Sequence, residues 1–390
     1  MRTAGIVAEY NPFHNGHQYL AAQARLQGAT HLVAAMSGSF VQRGEAAFAD
    51  KFLRAEAAVR GGVDLVLDLP APWSLGGAAS FARGAVAALA DVGCDLLAFG
   101  CETDDADLLC RTALLLQQES VQAQAAQKMK QGATFPAALQ QTLLEQNKTA
   151  EAAVLQTPNN VLAVEYIKAM SELGCAFELL PVRRIGPAHD ALPADGTFAS
   201  AAALRAMDDF SLAAAYMPAQ AFRVYAEHPG RLLEKSSFET AVLTALRLLP
   251  DAAFSAFVDD GSGLADRIRS AVKTTASLDD LYQAAKTKSL TLSKVRREVM
   301  HLFLQIPPSF AKGTPPYLRP LACSPRGTEV LGASKHRLPL LTKHAEAAAL
   351  PPDAAALYAL QCRASDLYAL CTKTKGACCR EQTGSFRIIR

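Results

Sequence analysis

The residues that point most clearly to chemistry are two histidines three positions apart, His14 and His17, which enclose Asn15 and Gly16. They follow an apolar run at residues 3–8 and an Asn-Pro turn, and helical spacing begins at Gly16. The two imidazoles would therefore lie on one face of the first helical turn. A helix N-terminus binds phosphate through its free N–H groups, and imidazole N–H groups stabilise charge that develops on phosphate oxygens. The motif predicts a nucleotide site at which phosphorus is attacked, although a metal pair or two satisfied surface histidines would share the bare pattern.

The elements needed to position this motif are short apolar strands that alternate with helices. Strands are predicted over residues 3–8, 31–36, 64–69, 95–99 and 177–182, and helices over residues 16–27, 49–59, 76–91, 160–173 and 200–207. This alternation is typical of βαβ units, so the predicted fold is an α/β, doubly wound, Rossmann-like parallel sheet. Ligands of such sheets bind at the carboxyl ends of the strands, where the histidine motif would lie.

The length of 390 residues is sufficient for two domains. Residues 1–208 are predicted to form the catalytic domain, with a Gln- and Ala-rich helical insertion near residues 104–147. Residues 209–390 are predicted to be mainly helical, over 238–248, 263–274, 278–287 and 289–304, with possible strands at 317–323 and 338–341.

The charge of the chain is unevenly distributed. Residues 201–390 contain 25 Lys and Arg against 17 Asp and Glu, although the whole chain has a formal net charge of only +2. A basic excess of this kind attracts a phosphate backbone. An ordinary solvated basic surface explains the same composition equally well, so composition leaves both interpretations open.

Other sequence features argue against a membrane or zinc protein. There is no long apolar stretch fit for a membrane span, and residues 3–8 resemble a buried strand rather than a signal peptide. The nine cysteines show no pair of CxxC motifs, so a structural zinc site is not expected. A cytoplasmic location with reduced thiols is expected.

Several segments together resemble one family. Residues 5–17, GIVAEYNPFHNGH, resemble the bacterial tRNA(Met) cytidine acetate ligases within the HIGH-type nucleotidyltransferase superfamily. Similar matches follow at residues 36–45 (MSGSFVQRGE), 99–102 (FGCE), 158–163 (PNNVLA) and 183–186 (RRIG), and at His189-Asp190. The sequence departs from the family at residues 200–205, where SAAALR replaces a SATAIR-like segment, at Cys101, and at Ala188, where the family has Tyr. The resemblance is strong over residues 1–210 and weaker beyond.

The resemblance implies a reaction and a set of site residues. Family members use ATP and acetate to form acetyl-adenylate and then acetylate the wobble cytidine of elongator tRNA(Met). By position, His14 and His17 would be catalytic, residues 1–208 would be a nucleotidyltransferase-like ATP-binding domain, and residues 209–390 would dock tRNA. The ATP site would comprise Val7, Ala8, Glu9, Tyr10, Asn11, Pro12, Phe13, His14, Asn15, Gly16, His17, Gln18, Tyr19, Leu20, Gly100, Asn160, Arg184 and Ile185. Mg²⁺ is expected to accompany the triphosphate, although no carboxylate cluster marks a site for it.

Further residues could contact phosphate or tRNA. They are Gln42, Arg43, Lys51, Arg54, Ser200 and Arg205. Gln42, Arg43, Lys51 and Arg54 could instead form ion pairs on a surface helix, and Asn160 could be only a helix N-cap. The cluster Lys294, Arg296 and Arg297 fits either tRNA contact or a solvated face. Two other functions stay open, a small-molecule adenylyltransferase and a non-catalytic nucleotide-sensing tRNA-binding protein, and the sequence does not predict an oligomeric state.

Overall fold

The apolar runs predicted as strands lie side by side in the centre of the computed structural model, which describes residues 1–185, 198–258, 261–334, 336–384 and 386–390. In chain order the strands are β1 (Thr3–Ala8), β2 (His31–Ser37), β3 (Phe40–Val41), β4 (Glu45–Ala46), β5 (Leu65–Leu69), β6 (Leu96–Cys101), β7 (Glu178–Arg183), β8 (Pro320–Cys323) and β9 (Arg387–Ile388). Five of them are parallel, in the order β7-β6-β1-β2-β5, and β3 pairs with β4 in a separate hairpin. β8 extends the sheet antiparallel to β5, and β9 lies parallel to β8.

The helices surround this sheet. They are α1 (Asn15–Leu26), α2 (Lys51–Arg60), α3 (Ala71–Ser74), α4 (Ala78–Asp91), α5 (Ala106–Leu116), α6 (Glu119–Lys130), α7 (Phe135–Glu145), α8 (Thr149–Val154), α9 (Pro158–Leu173), α10 (Ala201–Arg205), α11 (Ala219–Ala226), α12 (Lys235–Leu248), α13 (Asp251–Phe257), α14 (Leu264–Thr274), α15 (Leu278–Ala285), α16 (Leu292–Leu304), α17 (Pro325–Ala333), α18 (Pro352–Leu370) and α19 (Arg380–Thr383). Short 3-10 helices lie at Phe210–Tyr216, Pro229–Arg231, Pro308–Ala311 and His344–Ala349.

Alternate side chains of the strands enter two separate cores. Ile6 and Ala34 face a core that also contains residues of α1, α2 and α11. Val33 and Leu97 face the opposite core, which contains residues of α4, α5 and α9. Both faces of the sheet are therefore covered by helices, which confirms the predicted doubly wound α/β fold.

The predicted insertion is a set of separate helices rather than one long helix. α5, α6 and α7 lie within residues 104–147, and Gly132 (φ 99°) and Asn147 (φ 59°) adopt left-handed backbone conformations at the ends of α6 and α7. Left-handed residues end helices because the chain can turn there without continuing the helical hydrogen bonds.

The second half of the chain packs against the first. The ring of Phe40 lies 6.0 Å from that of Phe303 and 6.1 Å from that of Tyr368, and the Tyr368 hydroxyl donates to the Ala47 carbonyl at 2.7 Å. The predicted strand at 317–323 is present as β8, whereas the segment at 338–341 makes only an isolated bridge between Leu318 and Leu340. The strands β8 and β9 belong to the same sheet as the strands of the predicted first domain. The domain boundary at residue 208 therefore stays a prediction.

Over the residues that the structure describes, no single helix is both long enough and apolar enough to cross a membrane, and only the sharply bent pair α12–α13 reaches that length and composition jointly.

Candidate active site

The two motif histidines cap the first turn of α1. His14 is the N-cap residue, and its Nδ1 accepts a hydrogen bond from the Gly16 N–H at 3.1 Å. In return, Nδ1 of His17 accepts from the His14 N–H at 3.2 Å. The two rings stack with their centroids 3.8 Å apart. Two otherwise unpaired helix N–H groups are satisfied in this way, and both rings are held in fixed positions.

Both imidazoles are neutral and share one tautomer. Burial lowers the pKa of His14 to about 3, with the nearby Arg184 and Arg205 guanidinium groups adding to the effect. Burial and the neighbouring His14 also lower the pKa of His17 well below its ordinary value. Since Nδ1 of each ring accepts a backbone hydrogen bond, the proton of each neutral ring resides on Nε2. Each ring therefore offers one N–H donor, as stabilisation of a phosphoryl transition state requires.

Gly16 leaves the space that the His14 ring occupies. A Cβ atom at position 16 would lie 3.0 Å from Cε1 and 3.1 Å from Nδ1 of His14. These distances are shorter than ordinary contacts, so a side chain at this position would displace the ring. The glycine of the motif is thus explained by the histidine that precedes it.

The turn that enters α1 is held by buried contacts. The Asn11 side chain accepts from the Phe48 N–H at 2.6 Å, and Arg205 donates to the Asn11 carbonyl at 2.8 Å. Phe13 is fully buried, and Tyr10 adopts a left-handed conformation with φ 44°. The segment before the histidines is therefore rigidly positioned by tertiary contacts.

A cavity of about 840 Å³ opens beside this turn at the carboxyl ends of β1, β6 and β7. Most of the residues predicted to bind ATP line it, namely Val7, Ala8, Glu9, Tyr10, Asn11, His14, Gly16, His17, Tyr19, Leu20, Gly100, Arg184 and Ile185. Five other residues predicted to bind ATP do not line the cavity, and they are Pro12, Phe13, Asn15, Gln18 and Asn160. His189 and Asp190 lie outside the described residues.

Asn160 acts on the cavity through the loop that follows β6. Its Oδ1 accepts from the N–H groups of Glu102 at 2.9 Å and Thr103 at 3.2 Å. Its own N–H donates to the Glu102 carboxylate at 3.1 Å. Asn160 therefore fixes the chain just after Gly100 rather than facing the cavity itself.

Four of the predicted phosphate or tRNA contacts border the cavity, and they are Gln42, Arg43, Ser200 and Arg205. The Ser200 Oγ is the N-cap of α10 and accepts from the Ala203 N–H at 3.1 Å. Arg205 lies in the last turn of the same helix. The altered SAAALR segment thus still brings a hydroxyl and a guanidinium to the cavity.

The structure corrects the prediction for Lys51 and Arg54, which are buried away from the cavity. Lys51 is ion-paired with Asp68 and Glu381; burial alone would lower its pKa, but these two carboxylates raise it. Arg54 is fully buried and donates to the carbonyls of Glu9 at 2.6 Å and Ser37 at 3.1 Å. Their charges are used inside the fold and do not face a phosphate.

The second half of the chain supplies part of the cavity wall, which the sequence analysis missed. Residues 289–291 and the side chains of Lys294 and Arg297 line it, whereas Arg296 pairs with Glu45 at 2.5 Å. The backbone of α16 passes close to Gly44, since a Cβ atom at that glycine would lie 2.5 Å from it. The basic cluster was the available sequence signal, but it could not show which of its cations face the cavity.

The helical insertion supplies an apolar part of the wall. Leu116, Met129, Phe135 and Leu139 from α5, α6 and α7 line the cavity. A site with apolar walls and a few cations is suited to a nucleotide, whose base and phosphates differ in polarity. Among the described residues, no group of three or more His, Cys, Asp or Glu side chains could hold a metal ion.

Comparisons with known proteins agree with this geometry. A family model described as HIGH Nucleotidyl Transferase matches residues 1–383. The tRNA(Met) cytidine acetate ligase of Syntrophotalea carbinolica is 36% identical over 357 residues, covering 88% of this chain and 85% of the relative. The protein of the same name from Caldicellulosiruptor saccharolyticus is 33% identical over 381 residues, covering 95% and 94%. Thermotoga maritima TmcAL aligns over 100% of both chains at 29% identity, with a TM-score of 0.92 for apo form I and 0.90 for form II bound with alpha-thio ATP.

Proposed function

We infer the reaction from one premise: this chain belongs to the HIGH nucleotidyltransferases and, within them, to the tRNA(Met) cytidine acetate ligases. It is a ligase that uses ATP to activate acetate and transfers the acetyl group to a cytidine of tRNA(Met). The main structural support for this reaction is the pair of neutral, stacked imidazoles at the start of α1, beside a cavity that is also lined by arginine side chains.

In the first step, an acetate oxygen attacks the α-phosphorus of ATP in line, and pyrophosphate leaves. The Nε2–H groups of His14 and His17 donate to phosphate oxygens that gain charge in the transition state. Arg184 and Arg205 supply positive charge from the β7 end and from α10. Fixed donors need no reorganisation during the reaction, and this accounts for the reciprocal caps that hold both rings.

In the second step, the exocyclic amine of the wobble cytidine of elongator tRNA(Met) attacks the acetyl carbonyl, and AMP leaves. The cytidine must be unstacked to reach a buried adenylate, which suits a nucleotide in a loop. The basic excess of residues 201–390 supports docking of the tRNA backbone by that half. A cytoplasmic location, where ATP and tRNA are both present, is part of the same proposal.

Mg²⁺ is proposed to enter with ATP rather than to occupy a protein site. The described side chains form no metal-binding cluster, so its ligands would be triphosphate oxygens and water.

One incubation distinguishes this proposal from its alternatives. The protein is mixed with ATP, labelled acetate and total bacterial tRNA, and the tRNA is digested to nucleosides. Labelled N4-acetylcytidine that requires ATP supports the proposal. Transfer of AMP to a small metabolite would instead indicate an adenylyltransferase, and ATP binding without turnover would indicate a nucleotide sensor.

A further inference from the structure

The acetyl transfer needs a proton acceptor that the proposed roles of His14 and His17 do not provide. The cytidine amine loses a proton when its nitrogen becomes bonded to the acetyl carbon. Nδ1 of each histidine already accepts a backbone N–H, and Nε2 of each carries the ring proton. Both rings are therefore donors toward the cavity and have no free lone pair for the proton.

Few other described side chains at the cavity can accept a proton. Only two carboxylates, Glu9 and Glu165, are among its described lining residues. Both oxygens of Glu165 accept from Lys168, at 2.9 and 3.0 Å. Burial raises the pKa of Tyr10 and Tyr166 above the ordinary value, so both hydroxyls are protonated at neutral pH. Among the described lining residues, Glu9 is therefore the remaining carboxylate that could accept the proton.

Glu9 is well placed for this task. It directly follows β1, at the carboxyl edge of the sheet and five residues before His14. Its Oε1 accepts from the Gln42 N–H at 3.1 Å, while its backbone carbonyl accepts from Arg54 at 2.6 Å. The carboxylate is thus anchored through one oxygen, and no hydrogen bond or ion pair from the described residues engages Oε2.

The charged and titratable groups around Glu9 come from several elements. They are Arg43 of the β3–β4 hairpin, Arg54 of α2, Tyr166 of α9 and Arg205 of α10. Burial raises the pKa of the Glu9 carboxyl above 4.5, against the opposing effect of these guanidinium groups and of the Gln42 N–H. A carboxylate with a raised pKa is a stronger base than an exposed one.

We propose that the Glu9 carboxylate accepts the proton of the cytidine amine during acetyl transfer. The amine nitrogen forms a bond to the acetyl carbon, and the bond from that carbon to the phosphate oxygen breaks. The electron pair of the broken bond leaves with AMP, and the proton moves from nitrogen to Oε2 of Glu9 and later to solvent. Carboxylates also accept hydrogen bonds from the cytosine amino group, so Glu9 positions the acceptor base before it reacts.

This inference depends on the proposed function, and the experiment keeps the two apart. Wild-type acetylcytidine formation tests the proposed function. The role of Glu9 is tested by Glu9→Gln in two separate half-reactions. The first is acetate-dependent exchange of pyrophosphate into ATP without tRNA. The second is single-turnover transfer from synthetic acetyl-adenylate to a tRNA(Met) transcript. The amide introduced by Glu9→Gln keeps an oxygen that can accept the hydrogen bond from the Gln42 N–H. An amide cannot act as a general base.

The expected result is a change in the ratio of the two rates. Transfer should fall about 100-fold or more relative to exchange in Glu9→Gln, as loss of a general base predicts. Glu9→Asp, which keeps a carboxylate, should recover part of the transfer rate. The control Glu172→Gln, which removes a carboxylate outside the cavity lining, should leave the ratio unchanged. An equal loss of exchange and transfer in Glu9→Gln would overturn the proposal, because Glu9 would then act in adenylation or in folding.

The wild-type pH profile decides the matter if Glu9→Gln does not fold. Single-turnover transfer should decrease with falling pH around a midpoint above 4.5, because protonated Glu9 cannot accept a further proton. A transfer rate that is independent of pH across this range would show that the proton goes elsewhere, for instance to the departing phosphate.

Discussion

The replacement of His17 by Asn separates the two tasks that the structure gives this ring. The ring accepts the His14 N–H through Nδ1 and offers Nε2–H to the cavity. The Asn side chain places an oxygen near the position of Nδ1 but is too short to place a donor at the position of Nε2. His17→Asn should therefore keep the cap and lose the donor.

The expected size of each effect follows from these contacts. Loss of one fixed donor to a transition-state oxygen costs about 10²- to 10³-fold in rate, or about 2.7–4 kcal/mol. The free energy of unfolding should change little in His17→Asn. His17→Ala also removes the acceptor of the His14 N–H, and loss of such a cap costs about 0.5–2 kcal/mol of stability.

The assay is acetate-dependent exchange of labelled pyrophosphate into ATP, measured beside thermal unfolding. We expect His17→Asn to exchange at least about 100-fold more slowly than wild type, at a melting temperature close to that of wild type. His17→Ala should be equally slow and less stable. If His17→Asn exchanged at the wild-type rate, the ring would not be a transition-state donor and this account of the motif would be incorrect.

Three further changes follow from the structure. Gly16→Ala should displace the His14 ring and slow pyrophosphate exchange about tenfold, since small misplacements of catalytic groups reduce the rate strongly. The control is Gly332→Ala, where a Cβ atom would meet nothing within 4 Å, and this variant should exchange pyrophosphate at the wild-type rate. Lys51→Ala removes the cation that ion-pairs with both buried carboxylates and leaves Glu381 paired only with Arg319, so it should lower the free energy of unfolding in urea by about 3–5 kcal/mol. The control Lys128→Ala, which removes a more exposed ion pair, should cost less than about 1 kcal/mol. Because the folded-state pKa of His14 is about 3, the unfolded chain binds one more proton below the ordinary value of 6.5, so stability falls as the pH falls from 6.5 towards 3. His14→Asn should remove up to about 1.4 kcal/mol per pH unit from that slope, and an unchanged slope would show that His14 is protonated in the folded protein.

Local patterns were sufficient to predict the elements that carry the motif. The structure has β1 at Thr3–Ala8, the residues predicted from their apolar run, and α1 begins within one residue of the predicted Gly16. Both were predictable because strand burial and helix spacing are periodic properties of neighbouring residues. The histidine motif, lying between them, was placed at the sheet edge for the same reason.

The features that the sequence did not predict depend on contacts between residues far apart in the chain. Lys51 resembled a phosphate-binding cation because its partner Glu381 lies near the other end of the chain. Likewise, nothing local indicates that Lys294 and Arg297 reach the cavity, since that depends on the packing of α16 against Gly44. Asn160 was predicted to contact ATP, but its hydrogen bonds to the loop after β6 are a tertiary feature.

The central claim is that acetate attacks the α-phosphorus of ATP to form an adenylate before the acetyl group reaches tRNA. Acetate labelled with oxygen-18 tests it directly when it is incubated with the protein, ATP and tRNA(Met). The account predicts that the released AMP contains one labelled oxygen for each N4-acetylcytidine formed, as measured by mass spectrometry. Unlabelled AMP, or label in pyrophosphate or inorganic phosphate instead, would contradict it.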